Sequence, residues 1–441
     1  MVILIKAAQL ILSLSILVIL HEFGHFLFAK LFHCRVEKFY LFFDPWFSLF
    51  KIQKGETEYG VGWLPLGGYV KISGMIDESM DKEQMKLPPE PWEFRSKPTW
   101  QRLLIMIGGV LFNLILALAL YSMILFVWGE QYLPNQNAKF GIVVSETGRE
   151  MGLRNGDKIL LVDGKPVESF TKIVPTIVLD GAQTIEVQRD SQRITLQISK
   201  DLMPRLLKDK EIISLRIPFS CKISAFAKQS GARDAGLEVG DEILSVDSAK
   251  FRYYDEFVDK LALSKDKEVK VEYKRNGVVS TRKVKISPLG LLGFQRAFDL
   301  DGIFVYKTTH YSFLESIPAG ISKGYRAVGD YLKQFKLLFT PKTKAYESLG
   351  GFIAIGNIFP SVWDWESFWS LTAFLSIILA VMNILPIPAL DGGHVLFLLY
   401  EIVTGRKPSD KFLEYAQIAG MILLFSLLIY ANGNDLIKLF K

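Results

Sequence analysis

The chain has 441 residues, half of them hydrophobic, and a formal net charge of +6; its positive mean hydropathy comes from apolar residues gathered into blocks, which makes it a membrane protein with soluble parts. That charge is modest and spread along the chain, with no basic stripe interleaved with aromatics, so nucleic acid is excluded as a partner and anionic lipid suits it better. With two cysteines, Cys34 and Cys221, there is neither a disulfide framework nor a thiolate metal site.

The first apolar run is free of charge from Ala7 to Leu20 and apolar again from Phe23 to Ala29, apart from His25. Between them stands His21-Glu22-Phe23-Gly24-His25. On a helix the two imidazoles leave the same face one turn apart, with Glu22 beside them. That is the geometry of two zinc ligands and a general base. An ionisable group at this depth costs about 2.5–3.5 kcal/mol, so a metal-binding site is expected in place of a solvated helix face. Lys6 gives the run the look of a signal peptide, but cleavage would discard the motif, and a retained anchor is expected.

Segments long enough to span a bilayer are Ala7–Ala29, Leu103–Gly129, Ser367–Leu390 and Tyr415–Asn434, and the last three contain no Asp, Glu, Lys or Arg. Basic residues crowd the loop after the first span (Lys30, Arg35, Lys38, Lys51, Lys54 and others) and the loop after the third (Arg406, Lys407, Lys411). These loops should be cytoplasmic, with Glu130 to Glu366 outside. The ends of spans one and three then meet the same leaflet, where one site can draw on both, while Cys34 and Cys221 fall on opposite sides. Glu56 to Ser73 alternates glycine, aromatic and branched residues and reads as a hairpin dipping into the membrane beside the site, the alternative being one lying flat on the headgroups. Asp77 to Pro91 reads as an exposed linker. In span two, Gly108-Gly109 and Asn113 put a small surface and one amide on one face, suited to close helix packing.

The outer region repeats. Gly152-Leu153-Arg154-Asn155-Gly156-Asp157-Lys158-Ile159-Leu160 matches Gly236-Leu237-Glu238-Val239-Gly240-Asp241-Glu242-Ile243-Leu244 at most positions, each a Gly-Asp turn leading into a short strand. This resembles the PDZ domain, which takes an extended peptide onto an open strand edge; two copies would fill Asn135–Leu207 and Glu211–Pro288, as peptide receptors or as steric gates. From Ser316 to Phe339, apolar residues at helical spacing oppose Lys323, Lys333 and Lys336, the pattern of a helix on the outer membrane surface. Leu349-Gly350-Gly351-Phe352-Ile353-Ala354-Ile355-Gly356 reads as a packed or re-entrant turn.

Span three ends in Asn383-Ile384-Leu385-Pro386-Ile387-Pro388-Ala389-Leu390-Asp391-Gly392-Gly393-His394. Its two prolines remove helix donors and free carbonyls, and Asn383 and Asp391 are polar where polarity is expensive, so the broken helix should line a site. A catalytic zinc keeps three protein ligands and one open position. Asp391 and His394 are both candidates for the third, with chemistry alone slightly favouring the histidine.

Taken together, the His-Glu-x-x-His of span one, the Asn-x-x-Pro-x-Pro-x-x-Asp-Gly of span three and the repeats between them resemble the site-2 protease family of intramembrane zinc proteases, most closely its bacterial regulator-of-sigma-E branch with two PDZ domains. The resemblance implies zinc held by His21, His25 and Asp391, with His394 demoted to a supporting hydrogen bond, and Glu22 as catalytic acid and base. It implies a substrate-binding surface of Asn383, Pro386, Pro388, Gly67, Gly68, Tyr69 and Val70. Where the family often has Gly-Pro before its asparagine, this chain has Gly108-Gly109, which leaves Asn113 without a carried-over role. The implied fold is a polytopic α-helical membrane protein with four transmembrane helices and a membrane-dipping β-hairpin, plus two tandem extracytoplasmic α+β PDZ domains. Its implied domains are 1–134 with spans one and two, 135–210 and 211–290 as PDZ domains, 291–366 as the membrane-surface segment and 367–441 with spans three and four. Implied partners are the lipid bilayer, single-span substrates trimmed on their outer side (an anti-sigma factor or signal-peptide remnants), and peptide tails at the PDZ grooves. The location would be the bacterial inner (cytoplasmic) membrane, with periplasmic PDZ domains and the site toward the cytoplasm. The rival readings are a non-catalytic PDZ membrane scaffold with a structural zinc and, more weakly, a zinc transporter, for which only Asn113, Gln417 and a few hydroxyls in spans two and four are available.

Overall fold

The computed structural model describes residues 1–65, 67–75, 88–209, 211–297, 302–340 and 343–440. The chain divides into two units, one of Met1–Glu130, Thr309–Lys336 and Tyr346–Lys441, the other of Gln131–Thr308 and Leu337–Ala345.

In the first unit the helices are α1 (Val2–Leu31), α2 (Thr99–Val127), α3 (Phe313–Leu338), α4 (Phe352–Ile358), α5 (Trp365–Ile384), α6 (Asp391–Thr404) and α7 (Asp410–Leu439). Among the described residues, α1, α2, α5 and α7 are long and apolar enough to cross a membrane. Their burial is inverted relative to a soluble bundle. The buried residues of α1 are Gln9, Ser13, Leu17, His21, Gly24, His25 and Ala29, stepping three or four positions at a time, while Ile11, Leu12, Ile19, Phe23 and Leu27 face outward. Small residues let backbones approach and polar ones bond across the interface, which is how helices associate when the solvent is as apolar as leucine. Thr372 Oγ1 of α5 donates to Ser13 Oγ of α1 at 3.0 Å, and Ser376 Oγ of α5 donates to the Asn113 carbonyl of α2 at 2.7 Å. The first turn of α2 is tied to α6 by Arg102, whose guanidinium lies 2.5 Å from Glu401 Oε1.

The expected helix from Ser316 to Phe339 is present as α3, and Ser316, Gly320 and Gly324 are its buried residues. The stretch read as a turn, Leu349 to Gly356, is a turn only as far as Gly351; from Phe352 it is α4, whose N-terminus is capped from α7, where Asp435 Oδ2 accepts from the Gly351 and Ala354 amides, each at 2.9 Å. The segment read as an exposed linker, Asp77 to Pro91, lies largely outside the described residues.

A sheet of β1 (Val36–Leu41), β2 (Phe43–Lys54), β3 (Thr57–Leu64) and β4 (Tyr69–Ile72) follows α1. Its order is β2-β3-β1-β4, so the expected strands within Glu56–Ser73 form without being partners. β1 lies between them, parallel to β3 and antiparallel to β4. The reason is burial: Val36 and Tyr40 of β1 are inaccessible, and a strand with such residues is better covered in the sheet than at its edge. The two edge strands are β2 and β4.

In the second unit, the strands that build the two repeats are β5 (Ile142–Val144), β6 (Lys158–Val162), β7 (Lys165–Pro166), β8 (Thr184–Arg189), β9 (Gln192–Gln197), β10 (Ile213–Leu215), β11 (Ile223–Phe226), β12 (Glu242–Val246), β13 (Ala249–Lys250), β14 (Glu268–Arg275), β15 (Val278–Lys285) and β16 (Phe294–Arg296). The repeat seen in sequence is a repeat of topology: β7-β6-β8-β9 and β13-β12-β14-β15 share one strand order. Each copy adds a two-stranded ladder, β5 with β10 and β11 with β16, so strand partners run past positions 210 and 290. The two Gly-Asp turns are locked identically. Arg189 forks onto Asp157 at 2.8 and 2.7 Å, and Arg275 forks onto Asp241 at 2.7 and 2.8 Å. Hydrogen bonds from Arg275, reinforced by the Glu238 amide, hold the Asp241 carboxyl below the usual carboxylate range. Between the copies, Arg216 bonds both oxygens of Asp255, the closest contacts at 3.0 Å, and Asn155 Nδ2 donates to the same carboxylate at 3.0 Å.

Candidate active site

The site begins where α1 and α2 touch. Gly24 and Gly108 meet backbone to backbone, so close that a methyl on Gly24 would fall 2.3 Å from the Gly108 carbonyl oxygen. This approach lets α2 reach both histidines of α1. The Ile105 carbonyl lies 2.9 Å from His25 Nδ1 and accepts its hydrogen, leaving Nε2 with a free lone pair. The Asn113 amide lies 3.1 Å from His21 Nδ1. A metal on His21 Nε2 would require a hydrogen on Nδ1, and Asn113 Oδ1, buried without a partner of its own, is the acceptor for it once the amide turns. Gly109 clears the space in which the rings sit: a methyl there would fall 2.4 Å from His25 Nε2 and 2.6 Å from His21 Cε1.

The third component comes from the break after α5. Pro386 and Pro388 have no N–H to continue the helix, and Ala389 turns through the left-handed region at φ +81°, which costs a non-glycine residue about 1–3 kcal/mol. The helix restarts as α6 with Asp391 at its first position, an element the sequence reading did not anticipate beyond Leu390. Asp391 Oδ2 lies 3.2 Å from His21 Nε2 and 3.3 Å from His25 Nε2, and the two nitrogens are 3.3 Å apart. Four ligands at about 2.0–2.2 Å from a tetrahedral zinc would stand about 3.3–3.6 Å from one another, so the three atoms sit close to the edges of such a tetrahedron. Asp391 Oδ2 is buried and makes no hydrogen bond. Two converging imidazole nitrogens and an orphaned carboxylate oxygen form a donor set that fits zinc.

Among the described residues this is the group of His, Cys, Asp and Glu side chains that converge as metal ligands do. His394 is not one of them. It lines the same cavity, of about 480 Å³, as do His21, Glu22, His25, Asp391, Gln417, Gly68 just before β4, and Tyr69 and Val70 of β4. Asn383 Nδ2 lies 3.3 Å from His21 Nε2. Three other anticipated residues stand back from the cavity wall: Gly67 against the Phe43 ring and Pro388 against α6 and α7, while Pro386 is exposed. Tyr69 is pinned in place: its hydroxyl donates to Asp44 Oδ1 at 2.9 Å, and its ring stacks on Tyr40 with centroids 5.2 Å apart. The Ile105 carbonyl and the clearance at Gly109 were not anticipated; for the second, the Gly108-Gly109 pair with Asn113 four residues after Gly109 was the one signal in the sequence.

The family model described as Peptidase family M50 matches residues 9–427. A protein from Fusobacterium nucleatum named "Putative zinc metalloprotease" is 29% identical over 435 residues, covering 98% of each chain, and one of that name from Rickettsia conorii is 28% identical over 433 residues with the same coverage. A protein from Haemophilus influenzae named "Regulator of sigma E protease" is 27% identical over 450 residues, covering 97% of this chain and 98% of its own.

Proposed function

This chain belongs to peptidase family M50 and is a multi-pass membrane zinc metalloprotease, and on that premise we propose that it hydrolyses peptide bonds within the transmembrane segments of single-span membrane proteins. The observation that carries the reading is the triangle of His21, His25 and Asp391 donors, 3.2–3.3 Å on a side, in a cavity it shares with Glu22. His21, His25 and Asp391 would hold the ion. Zinc, when bound, supplies Lewis acidity that brings the pKa of water to about 7 and polarises a carbonyl. Glu22 takes the proton from the attacking water and passes it to the leaving amine. Ile105 and Asn113 fix the ring orientations of the two histidines. A helical substrate hides its carbonyls in its own hydrogen bonds, so it has to unwind before attack. The open edge of β4, with Tyr69 and Val70 facing the cavity, offers replacement bonds to an extended segment, and Asn383 stands beside the donors to receive one carbonyl.

The two copies of the second unit are, in this reading, PDZ domains on the outer face of a bacterial inner membrane, and the site opens toward the cytoplasm, where the basic loops lie. They admit substrates whose external part has already been cut short, such as anti-sigma factors or signal-peptide remnants. The test is the purified chain with a tagged single-span substrate, with and without chelator, beside Glu22→Gln. Loss of general-base catalysis should lower turnover about 10²–10⁴-fold while zinc stays bound; cleavage at the unaltered rate would remove Glu22 from the general-base role, and no chelator-sensitive cleavage by the unaltered chain would leave only a scaffold with a structural metal. In the same assay, removing residues 135–288 should allow cleavage of untrimmed substrate, and unchanged discrimination would refute the gate.

A further inference from the structure

Gln417 is a polar side chain in the second turn of α7, three residues after Glu414 and inside the stretch from Tyr415 to Asn434 that carries no charge, and it is 5% exposed. At membrane depth such a group has a reason to be there. Its Oε1 accepts from the Ala389 amide at 3.2 Å. Ala389 is the residue held at φ +81° two positions before Asp391. The neighbouring amides are used within the break itself: Ile387 donates to Leu385 O at 2.7 Å, and Leu390 donates to Ile387 O at 3.0 Å. The two prolines have no amide to give. Of the donors in this stretch, that of Ala389 is the one bonded to another helix. One turn further along α7, Gly420 sits against the same stretch, where a methyl would fall 1.6 Å from the Pro388 carbonyl oxygen. The fourth span thus seats the break at two adjacent residues, by a hydrogen bond and by backbone contact. Asp391 Oδ2 has no hydrogen bond of its own to fix it, so its place depends on the backbone that delivers it.

We propose that Gln417 is a positioning residue: it holds the left-handed turn at Ala389 and so sets Asp391 at the distance from His21 and His25 that the metal requires. The inference rests on the reading of Asp391 as a metal ligand. It assigns α7, which supplies no metal-binding group, a part in the metal site, and it accounts for Gln417 lining the active-site cavity.

The test uses the full-length chain in detergent, measuring zinc affinity by competition with a chelator and the visible absorption of the cobalt(II)-substituted protein, which reports ligand geometry independently of turnover. Gln417→Leu should weaken zinc binding about 10–100-fold, the range typical of lost outer-shell support, and shift the cobalt bands. Gln417→Glu, which keeps an acceptor oxygen at the same reach, should restore both. If the leucine variant does not yield folded protein, Gln417→Met, closer in shape, takes its place. Asp391→Ala is the benchmark. Should Asp391→Ala lose zinc while the leucine or methionine variant binds it with unaltered affinity and spectrum, the positioning role is overturned and the metal site stands. Should Gln417→Glu be as impaired as Gln417→Leu, the acceptor is not what matters and the proposal fails. Should Asp391→Ala bind zinc normally, the ligand assignment falls and takes the proposal with it.

Discussion

Gly109→Ala places one methyl group where the geometry forbids it. The added carbon would lie 2.4 Å from His25 Nε2, 2.6 Å from His21 Cε1 and 2.8 Å from His21 Nδ1. Ordinary contact is about 3.5 Å, so the rings or the helix must yield by about 1 Å. Neither ring can swing aside cheaply, because His25 is held by the Ile105 carbonyl and His21 by Asn113. Metal sites tolerate about 0.2 Å in ligand distance, and a misplacement of about 1 Å can cost about 10²-fold in rate. Overpacking itself costs about 1–3 kcal/mol, which a folded membrane bundle can survive. The expected result is a protein that purifies as a monodisperse species, retains less than stoichiometric zinc and cleaves a tagged single-span substrate about 10²-fold more slowly. Gly329→Ala on α3, where a methyl meets nothing within 4 Å, is the control and should leave zinc content and rate unchanged. Full zinc occupancy and turnover within about twofold of the unaltered protein in Gly109→Ala would refute the claim that this glycine exists to make room for the histidines.

Two further outcomes follow from the structure. The Asp241 carboxyl is held below its ordinary pKa of about 3.9 by Arg275 and the Glu238 amide, so the pair stabilises the second repeat above that pH and the contribution disappears as pH falls through the depressed value. Asp241→Asn should therefore speed amide exchange in β12 and β14 at neutral pH and make less difference in acid; a gap that stays constant with pH would exclude this origin. Asp435→Ala removes the cap of α4 and should lower stability in micelles by about 0.5–2 kcal/mol, read as a lower thermal midpoint, whereas Asp435→Asn, which keeps an acceptor, should fall between.

What could be read from the sequence was what local spacing encodes. Two histidines four residues apart in an apolar run declare a shared helix face, and the repeated Gly-Asp turn declares two copies of one unit, later found to share even the arginine fork. The broken third span announced a site, but periodicity cannot choose between Asp391 and His394, because the choice depends on where the chain goes after Ala389. The order of the first sheet was hidden for the same reason: a hairpin is the nearest pairing in sequence, and only the buried Val36 and Tyr40 make β1 the better partner for both β3 and β4. The Ile105 carbonyl carries no side-chain signature at all, and Gly109 marks an absence, which a sequence shows only as a residue compatible with many roles.

The distribution of the donors bears on how the site comes to exist. His21 and His25 lie on α1, their orienting groups on α2, and Asp391 at the start of α6 behind a strained turn held from α7. No one helix contains a metal site, so the donors converge only once the helices have packed, and binding free energy becomes free energy of assembly. Without a cation, two imidazole nitrogens and a carboxylate oxygen crowd together in a buried cluster, a state that raises the cost of packing α1 against the break. With one, the same crowding becomes coordination. The polar stripe on α1, the glycine contact with α2 and the glutamine of α7 are then parts of a single device, in which a bundle with apolar surroundings acquires cohesion from the ion that also equips it for hydrolysis.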